Sequence, residues 1–367
     1  MKILLALSLT LLTAGGATAQ TAAPDSVAAP AASPLTFYGS VDAYYGYDFR
    51  HANTHDRPAF LYSHNRQNEF TVNQALVGVR YNNDRIRGAV GLHAGSYVSA
   101  NYAAEDPVFK HLYEAYAGFR PFRKAWLDAG IFSSHIGFES AISQDNWTLT
   151  RSLMAENSPY YEAGVRLTYE VAPTLTLTGL VLNGWQNIRE NNQAKAVGTQ
   201  LQWKPTPKLL VNSSTFYGNE QPQDSVRRRR FFHDFYVSYA ATTRLSLALV
   251  FDVGKQGSGQ PGVKTDTWHT GAAFVRYQLA PQWTAAARLE YYHADRGVFI
   301  VSGAPRVGDP DFNVKGASLN LDYAPAPRVL FRVEGRLLDA RRPIFEQRGN
   351  NVSKTYGNLT SSIALSF

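Results

Sequence analysis

The stretch FRVEGRL, residues 331–337, sets Arg332, Glu334 and Arg336 at alternate positions, with Phe331, Val333 and Leu337 beside them. Successive side chains of a strand point to opposite faces, so one face of this segment is apolar and the other charged. The same period recurs elsewhere. Ala317, Leu319, Leu321 and Tyr323 alternate with Ser318, Asn320 and Asp322. Trp283, Ala285, Leu289 and Tyr291 oppose Arg288, Glu290 and Tyr292, and Tyr161, Ala163, Val165, Leu167 and Tyr169 oppose Glu162, Arg166 and Glu170. No long helical periodicity competes.

Sixteen strands follow, over 35–50, 67–81, 86–100, 109–120, 125–135, 159–171, 174–186, 194–204, 208–219, 230–240, 244–256, 265–279, 283–296, 312–323, 328–340 and 353–367. Many exceed the usual length of soluble strands, and most can cross a bilayer at a tilt, which takes about 9–11 residues. Their connections alternate in length. Short turns, six of the seven containing Pro or Asn, lie at 82–85, 121–124, 172–174, 205–207, 241–243, 280–282 and 324–327. Long loops lie at 51–66, 101–108, 136–158, 187–193, 220–229, 257–264, 297–311 and 341–352. The expected fold is all-β: a single transmembrane antiparallel β-barrel of about sixteen strands, with short periplasmic turns and long extracellular loops.

An aromatic precedes each short turn on the apolar face: Tyr81, Phe119, Tyr169, Trp203, Tyr239, Tyr277 and Tyr323. Trp126 and Trp283 follow two of the turns. Amphipathic rings at one height make an interfacial girdle. The apolar face is therefore expected to meet lipid and the charged face to meet water inside the barrel. A closed barrel also leaves no strand edge unpaired in lipid.

The opening MKILLALSLTLLTAGGATAQ has a basic start, an apolar core and an Ala17-Thr18-Ala19 cleavage pattern, and is read as a signal peptide over 1–19. Residues 20–34 are a flexible Ala/Pro-rich lead-in, and 35–367 are the barrel. No later apolar run reaches the length of a membrane-spanning helix. Without cysteine the chain has no disulfide and no lipoprotein anchor. The formal net charge of +7 favours anionic partners. Export and the lack of a binding motif argue against nucleic acid.

Along most of its length after the leader, the chain resembles the OmpL-like β-barrel porin family of Gram-negative outer membranes. The resemblance is carried by FYGSVDAYYGYDF (37–49), LDAGIFSSHIGFESAISQDNWTLTRSLMAENSPYYEAGVRLTYE (127–170), LVLNGWQNI (180–188) and SLNLDYAP (318–325). The terminal Phe367 on an alternating last strand resembles the insertion signal of bacterial barrels. The resemblance implies a cell outer-membrane location after export. Expected partners are outer-membrane lipids and lipopolysaccharide, the barrel-assembly machinery and small hydrophilic solutes. A homo-oligomer stays open.

Gly257-Ser258-Gly259-Gln260-Pro261-Gly262 fits G-x-G-x-x-G, but it stands between two strands with no helix to follow, so it reads as a loop. His51, His55 and His64 beside Asp56 are zinc-ligand types, yet nothing predicts the helix that would align them, and a solvated loop is the better reading. No metal or cofactor is expected. Arg227 to Arg230 suit either lipopolysaccharide phosphates or a solvated loop end. The serine-hydrolase, zinc-protease and phosphate-loop patterns are all missing.

The longest loop, 136–158, mixes Ile142, Leu149 and Leu153 with Glu139, Asp145, Arg151 and Glu156. By analogy with general porins, whose third long loop folds inward, it is expected to narrow the channel. Arg166, Arg288, Glu290, Arg332, Glu334 and Arg336 are expected to line the lumen. The expected function is a non-enzymatic porin giving passive diffusion through a water-filled barrel. An outer-membrane barrel enzyme and a closed structural or adhesive barrel are the rivals.

Overall fold

Sixteen strands close into one antiparallel barrel, each paired with its neighbours in the chain and the first with the last. The computed structural model describes residues 33–50, 54–300 and 310–367. The expected signal peptide and nearly all of the expected lead-in lie outside the described residues. The first half of the wall is β1 (Leu35–Asp48), β2 (Phe70–Asn82), β3 (Ile86–Ala94), β4 (Leu112–Phe119), β5 (Ala125–Ser133), β6 (Tyr161–Ala172), β7 (Leu175–Leu182) and β8 (Ala196–Thr206). The second half begins with β9 (Leu209–Asn219), β10 (Arg229–Ala240), β11 (Leu245–Gly257) and β12 (Thr265–Ala280). It continues through β13 (Trp283–Ala294), β14 (Phe312–Tyr323) and β15 (Val329–Ala340). After a small hairpin of β16 (Phe345–Glu346) and β17 (Val352–Ser353), β18 (Thr355–Ser366) completes the wall.

Alternation decides the faces. Leu319 is 72% exposed on the outside, while the next residue, Asn320, is 3% exposed on the inside. Closure places Phe367 opposite Gly39, each N–H donating to the other's carbonyl at 3.0 Å. The Phe367 ring occupies the space a side chain at Gly39 would need, its nearest atom 2.3 Å from an ideal Cβ.

Some expected boundaries shift. The strand expected over 86–100 ends at Ala94. Gly95 adopts φ 136°, a conformation side chains resist, and the chain then turns into the short helix α1 (Ser96–Asn101). Tyr97 and Val98 of this helix are buried, so tertiary packing overrides the apparent continuation of the strand. The hairpin β16–β17 sits inside what reads as an unstructured loop.

One girdle assignment needs correction. Phe119, Trp203, Tyr239, Tyr277 and Trp283 are exposed outside, as are Tyr81 and Tyr169, and Tyr323 stacks on Trp283 at 4.5 Å. Trp126 instead shares the parity of Asp128, whose carboxylate is held by the inward Arg87 and Arg166. Its ring lies under the guanidinium groups of Arg87 and Arg120, at 4.5 and 4.6 Å. Attraction between cation and ring face keeps this tryptophan inside the barrel.

Candidate functional site

The connection between β5 and β6 turns back against the inner wall formed by β13–β15. Leu149 N–H donates to Asn320 Oδ1 at 3.0 Å, Thr150 N–H to Glu334 Oε2 at 2.5 Å and Leu153 N–H to Glu290 Oε2 at 2.6 Å. In return, Arg288 donates to Thr148 Oγ1 and to the Thr150 carbonyl at 2.8 and 2.5 Å. Arg332 donates to the carbonyls of Ser143 and Asn146 at 2.7 and 2.9 Å. A loop withdrawn from water must find partners for its backbone. The mixed-sign inner face of these strands supplies them. Arg336 completes the network through a two-bond fork onto Glu290, both distances 2.9 Å.

The loop is also tied within itself. Ser152 caps α2 (Leu153–Glu156) by accepting from Ala155 N–H at 3.2 Å, and its own N–H donates to Glu139 at 3.1 Å. Glu156 accepts from the backbone N–H groups of Tyr62 and Ser63 in the first long loop, at 2.9 and 3.1 Å. Arg151 reaches the carbonyls of Ser140 and Ala141 and lies between the rings of Tyr97 and Tyr160, at 4.2 and 4.3 Å. Burial pushes the Glu139 carboxyl above its ordinary value, while Arg288 and the Ser152 donors pull it down.

The expected site residues therefore separate. Glu139, Arg151 and Glu156 are buried in the loop's own scaffold, and Arg288, Glu290, Arg332, Glu334 and Arg336 face inward but are covered by it. Asp145 is exposed, and Arg166 is partly so. The neutral anchors Thr148, Thr150 and Asn320 carry no charge signal in the sequence that would have marked them.

The wall of β2–β6 is different. Arg80, Arg87 and Arg166 remain partly accessible, with side-chain exposures of 48, 22 and 23%. Arg80 pairs with Glu114 at 2.9 Å, and Arg87 and Arg166 share Asp128 at 2.5 and 2.8 Å. Arg80 lies over the Tyr38 ring at 4.2 Å, and Arg166 over Phe132 at 4.4 Å. With Arg120 on Trp126, four guanidinium groups face two carboxylates here, and the charge of Arg80 reaches Asp145. Arg80 was not among the expected lining residues, although its parity with Leu76 and Gly78 places it inside.

Toward the long-loop end, inward apolar side chains form a buried cluster that includes Phe60, Trp185, Phe216, Phe232, Trp268 and Phe312. Arg230 inserts there, 4.4 Å from the Phe299 ring and 5.2 Å from Trp185. The basic run thus divides: Arg227 and Arg229 are exposed, Arg228 is half-buried and Arg230 is buried. His55 Nδ1 donates to the Gln67 carbonyl, and His64 bonds Asp42, so these two do not converge; His51 lies outside the described residues. The glycine-rich 257–262 segment runs from the end of β11 into its loop, as expected.

A closed barrel with an apolar outer face, a charged inner face and a loop seated within it defines an outer-membrane barrel of the porin class. The family model described as "Putative beta-barrel porin-2, OmpL-like" matches residues 34–367, and the chain belongs to that family. Its membership places it in the outer membrane of a Gram-negative bacterium. No curated protein matches the sequence. Among solved structures, the outer membrane channel DcaP of Acinetobacter baumannii is similar at 11% identity and TM-score 0.62, over 91% of this chain and 97% of that one. OmpT of Vibrio cholerae is similar at 10% identity and TM-score 0.58, over 91% and 97%. An anion-selective porin from Comamonas acidovorans is similar at 9% identity and TM-score 0.57, over 91% and 99%. At these identities the likeness is one of fold.

Proposed function

We propose that the chain is a passive diffusion pore for small hydrophilic solutes, narrowed by loop 136–158 and mildly favouring anions. The observation that carries this reading is the asymmetry of the interior. The loop rests on β13–β15, and the arginines that keep access to water line the opposite wall. A solute passing between them meets Asp145 on one side and Arg80, Arg87, Arg120 and Arg166 on the other. Their partners Glu114 and Asp128 offset part of that charge, so the preference is modest.

Reversal potentials across a shallow salt gradient test the selectivity. A small anion preference is expected, reduced in Arg80→Gln and fading near 1 M salt, where the Debye length is about 3 Å. Strong cation preference would contradict the charge argument.

A second reading, a closed structural barrel, draws on the apolar cluster toward the long-loop end. It predicts no conductance. The enzyme reading gains nothing from His135, whose Nε2 is engaged by the Thr215 carbonyl at 2.8 Å and whose Nδ1 is engaged by Glu162 at 3.0 Å, leaving neither nitrogen to activate a nucleophile.

A further inference from the structure

We propose that the long-loop rim at β12–β13 carries a binding site for a divalent transition-metal ion of the zinc class, built from His293, Asp295 and Asp311 with His269 as fourth ligand. One ligand atom from each of the first three lies within 4.8 Å of the others. His293 Nε2 and Asp295 Oδ1 are 3.3 Å apart. His269 is the direct cross-strand partner of His293, and the two rings are 5.0 Å apart at 37°. Two imidazoles and two carboxylates form a set that suits four-coordinate zinc, whose bonds to nitrogen and oxygen are about 2.0–2.2 Å. His269 lies outside that 4.8 Å group, so its ring must turn toward the other three to complete the set.

The surroundings orient these groups as a metal site requires. Asp295 Oδ2 accepts from the Thr267 N–H and hydroxyl, at 2.9 and 2.8 Å, which directs Oδ1 toward His293. Asp311 Oδ1 accepts from the Arg296 N–H at 2.9 Å. The Arg296 guanidinium, the nearest cation in sequence, pairs with Asp266.

The Asn313 amide stands 3.4 Å from His293 Nδ1 and 3.1 Å from the Tyr291 hydroxyl. Its Nδ2 donates to the Tyr291 hydroxyl and faces Nδ1 as a donor, so the imidazole proton stands on Nε2 and leaves as a metal binds there.

Position gives the site a consequence. Asp295 leads into residues 296–300, which include Phe299 and Ile300. Phe299 stacks on Trp268 at 5.0 Å, and Ile300 is buried in the apolar cluster. An ion held at the base of this segment would tie it to the wall. The ligands stand at 269, 293, 295 and 311, a spacing that matches no metal motif, so the cluster exists only after β12 and β13 pair.

The test is zinc uptake by the folded, untagged, detergent-solubilised barrel, measured by competition with a chromophoric chelator. Equimolar uptake is expected. His293→Ala and Asp295→Asn should each weaken it by about tenfold or more, while His55→Ala, in another loop, should leave it unchanged. Heat-modifiable migration establishes that every variant is folded, and His269→Ala, at an exposed outward position, gives a further variant should Asp295→Asn misfold. No equimolar uptake by the wild type would overturn the proposal. So would uptake undiminished in the folded His293→Ala variant.

Discussion

Leu319→Arg is expected to lower the unfolding free energy of the barrel in lipid by about 2–4 kcal/mol, the cost of an arginine near the bilayer midplane. Leu319 projects outward four residues from Tyr323 in the aromatic girdle. The adjacent Asn320 also faces inward, but it is buried and holds Leu149 N–H and Asp322. An arginine there would displace the loop, so its cost would not report on lumen tolerance. Gln202, half-buried on the inner face of β8, is the suitable control, and Gln202→Arg should cost little. Equal losses at 202 and 319 would mean that the two faces are wrongly assigned.

Arg288→Ala should be comparably damaging for a different reason. Arg288 is fully buried, bonds Thr148 and Thr150, and sits 3.1 Å from Glu334 and 3.4 Å from Glu290. Removing one partner from a buried ionic network leaves uncompensated charge and typically costs about 3–5 kcal/mol. Arg166 provides the contrast. It is partly exposed and shares Asp128 with Arg87, so Arg166→Ala should cost no more than about 1 kcal/mol. Chemical unfolding of both variants in the same lipid decides this. Similar losses would show that the loop is not seated on β13–β15 in the folded protein.

These two experiments also mark where the sequence is readable. Strand identity and face were legible because a period of two is strict: a pair such as Leu319 and Asn320 cannot both face lipid. Strand ends were less legible, as at Gly95, where the backbone conformation and the burial of Tyr97 end β3. Closeness to a turn suggests the girdle for Trp126, but its parity with Asp128 puts it inside. The loop's inward course follows from analogy with general porins, and the sequence marks its charged residues only as lining groups. In the fold Glu139 and Arg151 serve the loop's own backbone and Glu156 serves that of the first long loop, since buried loops need acceptors and donors as much as a channel does. The rim histidines were invisible for a topological reason, because β12 and β13 must pair before His269 meets His293.

Single-channel recording tests the central claim most directly, with the wild type compared against a variant lacking residues 140–155. That deletion removes Thr148, Thr150 and Leu153 and uncovers Arg288, Glu290 and Glu334. The wild type should give discrete, ohmic conductance steps, and the deleted barrel, still heat-modifiable, should give clearly larger ones. Silence from both folded proteins would contradict a diffusion pore, and equal steps would contradict a channel narrowed by this loop.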